Sequence, residues 1–174
     1  MSILKLIGLY EGEKEPELKI FCDMDGVLCN WQKAWLDLGV SDLDGEDYEK
    51  KYGATALWSN ILKKGGLEFW SEMDWMPDGK QLWNYIKKYN PTILTTPAKN
   101  KFSKEGKEDW VKRELGPDVP LIFSKDKFEH ADTESILIDD YEKKIDNWIN
   151  QGDGIGILHT SADKTIEELK KYGL

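Results

Sequence analysis

The chain has 174 residues, enough for one ordinary domain with a buried core, and its 33 acids against 24 bases leave a net charge of −9. That field repels long polyanions and weighs against stable nucleic-acid binding, and no apolar run approaches the roughly 18 residues a membrane span needs. The two cysteines, Cys22 and Cys29, have no disulfide-framework spacing, and "MSILKLIGLY" lacks the pattern of a signal peptide, so we expect a cytoplasmic protein with reduced thiols.

In chain order, the first ten or so residues could form an extra strand or hairpin. Five apolar runs then read as strands: "KIFCD" (19–23), "PTILT" (91–95), "PLIF" (120–123), "SILID" (135–139) and "GIGILH" (154–159). Each is nearly continuous in apolar character, as expected of parallel strands covered on both faces. Helical patterns separate them. "DGKQLWNYIKKY" repeats Leu82, Tyr85, Ile86 and Tyr89. "SKEGKEDWVKRELG" turns Trp110, Val111 and Leu115 inward, with Ser103 as the expected cap and Gly116 as the stop. "DYEKKIDNWINQG" ends on Gly152 as the expected left-handed residue, and "ADKTIEELKKYG" closes the chain. This alternation predicts a doubly wound, mostly parallel, Rossmann-like α/β sheet.

The interval from Asp23 to Thr95 is far longer than a βαβ crossover. Its "NWQKAWLDLG" and "DYEKKYGATALWSNILKKGG" are helical and rich in Trp and Tyr. We expect a small helical cap at 30–75, inserted after the first main strand, with 1–29 and 76–174 forming the α/β core.

In open α/β sheets, ligands bind outside the carboxyl ends of the strands. Those ends carry Asp23 and Asp25, then Thr95 and Thr96, then Lys125 and Lys127, then Asp139 and Asp140. Four converging carboxylates repel unless a cation sits among them, and an all-oxygen set of hard ligands favours Mg²⁺ over zinc or copper. A carboxylate in such a site can attack phosphorus and form an aspartyl phosphate. A second carboxyl two residues on can serve as acid and then base, while hydroxyls and lysines hold the phosphoryl oxygens.

More ordinary readings exist for each signal. Asp23 and Asp25 could close an Asx-type turn, but two acids flush against "KIFC" are costly without a cation. Asp139 and Asp140 could cap the following helix, which accounts for only one of them. Neither "DMDG" nor "DLDGEDYEKKYG" has the ligand spacing of a calcium loop. Lys99, Lys101 and Lys104 read as a solvated loop face. Trp58, Trp75, Trp83, Trp110 and Trp148 read as core, and His130 and His159 show no catalytic pairing.

The ordered set "DMDGV", a hydroxyl after "TIL", a downstream Lys and "ILIDD" resembles the motifs of haloacid dehalogenase superfamily phosphatases. Within them the chain resembles the 5′(3′)-deoxyribonucleotidases most, over most of residues 19–160. Trp31 after "DMDGVL", "FWSEMDWMP", "TTP", "WVKRELGPD" and "SKDK" follow in that family's order. The resemblance implies a Mg²⁺-dependent phosphomonoesterase acting on nucleoside monophosphates, with Asp23 as nucleophile and Asp25 as general acid/base. It implies a metal held by the Asp23 carboxylate, the Asp25 carbonyl and directly by Asp140, with Asp139 acting through water. It places Thr95, Thr96 and Lys127 on the phosphate and Trp31, Phe69 and Trp70 on the base. It also makes a homodimer plausible. Lys125 stands where the family carries Arg, which removes a bidentate fork. The insertion matches only at its ends, so the preferred base and sugar stay open. A sugar phosphate or a polynucleotide end is the alternative substrate. A phospho-accepting signalling domain is the alternative class, although its acidic pair and phosphorylated Asp fall in a different strand order.

Overall fold

A computed structural model describes residues 18–174; the strand or hairpin expected in the first ten residues lies outside them. The five strands are β1 (Lys19–Cys22), β2 (Thr92–Thr95), β3 (Leu121–Phe123), β4 (Ser135–Asp139) and β5 (Ile155–Leu158). They form one sheet in the order β3-β2-β1-β4-β5 with every neighbouring pair parallel. The register sets Cys22 beside Ile93 on one side and Ile138 on the other. The direction of strand succession reverses between β1 and β4, and such a switch point opens a crevice at the carboxyl ends.

Both sheet faces are covered, which is why the strands read as unbroken apolar runs. On one face Ile20, Cys22, Ile93, Ile136 and Ile138 meet α5 (Gly79–Ile86), α6 (Lys101–Glu114) and α8 (Ala162–Lys171) through Leu82, Ile86, Trp110, Val111, Ile166 and Leu169. On the other, Leu94 and Leu137 pack on Ile145 and Trp148 of α7 (Glu142–Gly152), with the Phe21 and Trp148 rings 5.3 Å apart.

Four short helices occupy the long interval: α1 (Trp31–Asp37), α2 (Gly45–Tyr52), α3 (Ala54–Asn60, continued by a π-turn over Ile61–Gly65) and α4 (Glu68–Ser71). Their stem is clasped by backbone bonds from Asn30 N to Asp74 O (2.7 Å) and Met76 N to Leu28 O (2.8 Å). Gly106 lets α4 press onto α6: a Cβ there would lie 2.4 Å from Trp70 Cβ.

Two helix ends differ from expectation. Asn100, not Ser103, caps α6, its side chain accepting from Phe102 N and Ser103 N. Ser103 lies one turn further in, buried, where its Oγ accepts from Ala98 N. After α7 the left-handed residue is Asp153 (φ 56°), because Gly152 is still helical and packs where a Cβ would meet Ala131 at 2.3 Å. Asp, like Asn, tolerates that conformation.

Candidate active site

The turn after β1 is wound around one carbonyl: Met24 O accepts from the backbone N–H groups of Leu28 and Cys29, both at 2.9 Å. It needs a left-handed residue at Gly26 (φ 78°), and a Cβ there would come within 2.0 Å of Asp140 Oδ2. The glycine thus serves twice, once for the turn and once for the approach of the second acidic doublet.

The doublets meet at the switch point. Carboxylate oxygens of Asp23, Asp139 and Asp140 all lie within 4.8 Å of one another. Lys127 bridges two of them, its Nζ 2.6 Å from Asp23 Oδ1 and 2.6 Å from Asp139 Oδ2. Burial works against the ammonium, but the charges of Asp23 and Asp139 outweigh it and raise the Lys127 pKa. Asp139 spends its other oxygen on Tyr141 N (2.9 Å). Burial and then the Asp23 charge push Asp139 up to about 6, and the same causes in the same order push Asp140 up to about 7. Asp140 makes no side-chain hydrogen bond to protein among the described residues; it is crowded by the neighbouring acids and Gly26 on one side and open to the cavity on the other.

A second buried lysine, absent from the sequence expectations, completes the floor. Lys107 of α6 is fully buried and donates to Asp25 Oδ2 at 2.6 Å, Thr95 Oγ1 at 2.8 Å and Thr96 O at 3.4 Å. An ammonium has three donors and no acceptor, so all its donors are engaged and Thr95 must accept. The hydroxyl proton of Thr95 is thereby left for another partner. Helical periodicity carried the signal, since Lys107 shares a face with Ser103, Trp110 and Val111.

Of the remaining expected residues, Thr96 lines the cavity and donates to Ser124 O at 2.9 Å. Lys125 is exposed, and its backbone carbonyl accepts from Lys144 Nζ. The Lys125 side chain, expected on the phosphate, is not among the residues that line the cavity. Cys22 and Cys29 are buried, and burial raises both thiols well above their usual range, which keeps them protonated and unreactive.

Above the carboxylates opens a cavity of about 730 Å³. Trp31, Trp58, Trp70 and Tyr141 wall it, with Gln32, Glu46 and Glu49 on the side of the inserted helices. Trp58 and Trp70 stack at 6.5 Å and 13°, and Trp31 stands edge-on to Trp58 at 6.3 Å. Two expectations change. Trp58, read as core, is 37% exposed and part of the wall. Phe69, read as a base contact, is 4% exposed and lies behind the wall, edge-on to Trp31 at 5.8 Å and Trp70 at 4.9 Å.

No family model matches the chain, and no curated protein matches it. Solved structures do. A hydrolase from Streptococcus pneumoniae TIGR4 superimposes with a TM-score of 0.55 at 12% identity, over 90% of this chain and 100% of that one. A hydrolase from Pseudomonas syringae gives 0.52 at 15% identity, over 88% and 89%. A haloacid dehalogenase-like family hydrolase from Streptococcus pneumoniae gives 0.52 at 13% identity, over 80% and 82%. At these identities the likeness is one of fold: a parallel α/β sheet of the haloacid dehalogenase-like type. Among the described residues no helix is long and apolar enough to cross a membrane.

Proposed function

We propose that the chain is a Mg²⁺-dependent phosphomonoesterase of nucleoside monophosphates, deoxyribonucleotides foremost, that works through an aspartyl phosphate. One observation carries this reading: three carboxylates of two distant doublets gather within 4.8 Å around a buried lysine at the floor of a tryptophan-walled cavity.

The donor set fits a hard divalent cation, since every candidate ligand is oxygen and the crowded acids require neutralisation. Asp23, Asp140 and the Asp25 carbonyl would hold it, with Asp139 behind, and when bound it offsets the charge of the acids and of the phosphoryl group. Asp139 is the less available carboxylate, both its oxygens being hydrogen-bonded to Lys127 and Tyr141.

Lys127 holds one oxygen of Asp23 and leaves the other without a protein partner among the described residues. That oxygen attacks phosphorus, and the bond to the ester oxygen breaks. Asp25, in the cavity wall, gives its proton to the leaving alkoxide. It then takes a proton from the water that attacks the phosphorus of the acyl phosphate, freeing Asp23 and inorganic phosphate. The Thr95 hydroxyl and Lys127 hold the equatorial oxygens. The stacked tryptophans suit a flat base better than a bare sugar, which favours a nucleotide over the sugar-phosphate alternative.

The test is phosphate release from p-nitrophenyl phosphate and from nucleoside monophosphates with Mg²⁺, in the native chain and in Asp23→Asn. Release that stops in chelator and in the variant supports the reading. Equal rates in excess chelator overturn it.

A further inference from the structure

Resting on that reading, the charge inventory of the cavity goes one step further. Acids line it on both sides, Asp23, Asp25 and Asp140 on the side of the sheet and Glu46 and Glu49 on α2, and among the described residues no lysine or arginine lines it. The two sides are compensated differently. Under the sheet acids, Lys107 and Lys127 sit at 2.6 Å. On α2, Glu46 shares Lys50 at 2.9 Å in open solvent, and Glu49 has no ion-pair partner among the described residues. The floor acids Asp23 and Asp25 are thus each paired with a buried ammonium, whereas Glu49 on the α2 side presents a carboxylate with no ion-pair partner among the described residues and Glu46 one paired only in open solvent.

A second observation concerns what the α2 side would accept. Gln32 lines the cavity and its Oε1 accepts from Gly45 N at 3.1 Å, but its buried Nε2 has no partner. A buried donor left unpaired is costly, and a ligand that brings a neutral acceptor removes the cost. Ring carbonyls and ring nitrogens are such acceptors.

We infer that Glu46 and Glu49 act as an electrostatic filter, admitting substrates with one phosphate and a neutral acceptor-bearing ring, and rejecting those with a second anionic group. Nucleoside monophosphates pass. Nucleoside bisphosphates, sugar bisphosphates and phosphorylated strand ends do not, because their second phosphate must share the cavity with these acids. Discrimination of this kind rests on repulsion, not on added attraction.

The experiment compares kcat/KM for deoxyadenosine 5′-monophosphate and for its 3′,5′-bisphosphate, with p-nitrophenyl phosphate and Mg²⁺ as reference. The monophosphate should lead by at least about tenfold, and Glu49→Lys should narrow that ratio by about tenfold, with the gap shrinking further as salt screens it. Glu46 and Glu49 are exposed, so charge reversal leaves the core untouched. A ratio near one in the native chain, or a ratio unmoved by Glu49→Lys, overturns the filter while p-nitrophenyl phosphate turnover still upholds the phosphatase. Absence of metal-dependent p-nitrophenyl phosphate turnover removes both.

Discussion

Lys107 Nζ lies 2.6 Å from Asp25 Oδ2, although the two residues stand 82 positions apart and belong to α6 and the turn after β1. The same ammonium reaches Thr95 Oγ1, so one buried charge fixes both the carboxyl we propose as acid/base and the hydroxyl we propose as a phosphate ligand. Removing it alone would leave Asp25 partly buried and unpaired, a loss of about 3–5 kcal/mol for a buried pair. Lys107→Met should therefore lower Tm markedly and kcat by about 100-fold. In Lys107→Met/Asp25→Asn part of the Tm should return, and kcat should fall little below that of Asp25→Asn. Groups that act as a unit give such non-additive losses. Independent, multiplying losses in kcat would separate the two residues.

The contact between Gly26 and Asp140 gives a second prediction. An alanine at 26 would need a left-handed backbone and would place its methyl 2.0 Å from Asp140 Oδ2. The turn must open or the Asp140 carboxylate must withdraw, and both pull the doublets apart. Gly26→Ala should keep the folded spectrum, lose the rise in Tm on adding Mg²⁺, and lose at least about 100-fold in turnover. A Mg²⁺ response equal to that of the native chain would show that the doublets need not meet.

The sheet was legible because buried parallel strands write themselves as unbroken apolar runs, and all five predicted runs are strands. The doublets and Lys127 were legible because strand ends in this topology converge on one rim. Lys107 was only half legible: periodicity sets it on the buried face with Ser103, Trp110 and Val111, but its type reads as solvated until the opposing charge of Asp25, distant in sequence, is known to lie beside it. Trp58 and Phe69 exchanged roles for a related reason. Both lie in the inserted helices, where short elements and a π-turn break the periodicity that would separate wall from core. The ends at Asn100 and Asp153 were missed because two polar residues one turn apart, Asn100 and Ser103, offer the same kind of cap, and because close packing on Ala131 keeps Gly152 helical and passes the left-handed turn to Asp153.

Proton linkage makes the acidic cluster testable without a substrate. Asp140 titrates near 7 in the fold against an ordinary carboxylate value of 3.8, so between those values the folded state holds more protons than the unfolded chain. Metal-free stability should thus fall as pH rises through that window and level off above it. A cation must displace that proton, so the gain in Tm from Mg²⁺ should grow as pH rises towards about 7 and beyond. Asp140→Asn should flatten the metal-free decline and abolish the Mg²⁺ gain. Thermal melts from pH 4 to 8, with Mg²⁺ and with chelator, measure both. A metal-free Tm that rises across the window would contradict the assignment.

The wall of the cavity yields the last prediction, and it separates binding from packing. Trp58 is 37% exposed and stacked on Trp70, whereas Phe69 is 4% exposed and only supports the ring in front of it. Stacking on an aromatic face is worth about 1–3 kcal/mol per base, so Trp58→Ala should raise KM for a nucleoside monophosphate by about tenfold or more. KM for p-nitrophenyl phosphate, whose smaller ring sits close to its phosphate, should rise less, and kcat should stay within about threefold. Phe69→Ala should behave oppositely: truncation of a buried aromatic costs about 3–5 kcal/mol of stability, with similar modest effects on KM for both substrates. Equal KM effects of Trp58→Ala on the two esters would make Trp58 a packing residue, and would move base recognition to Trp31 and Tyr141, which share the same cavity.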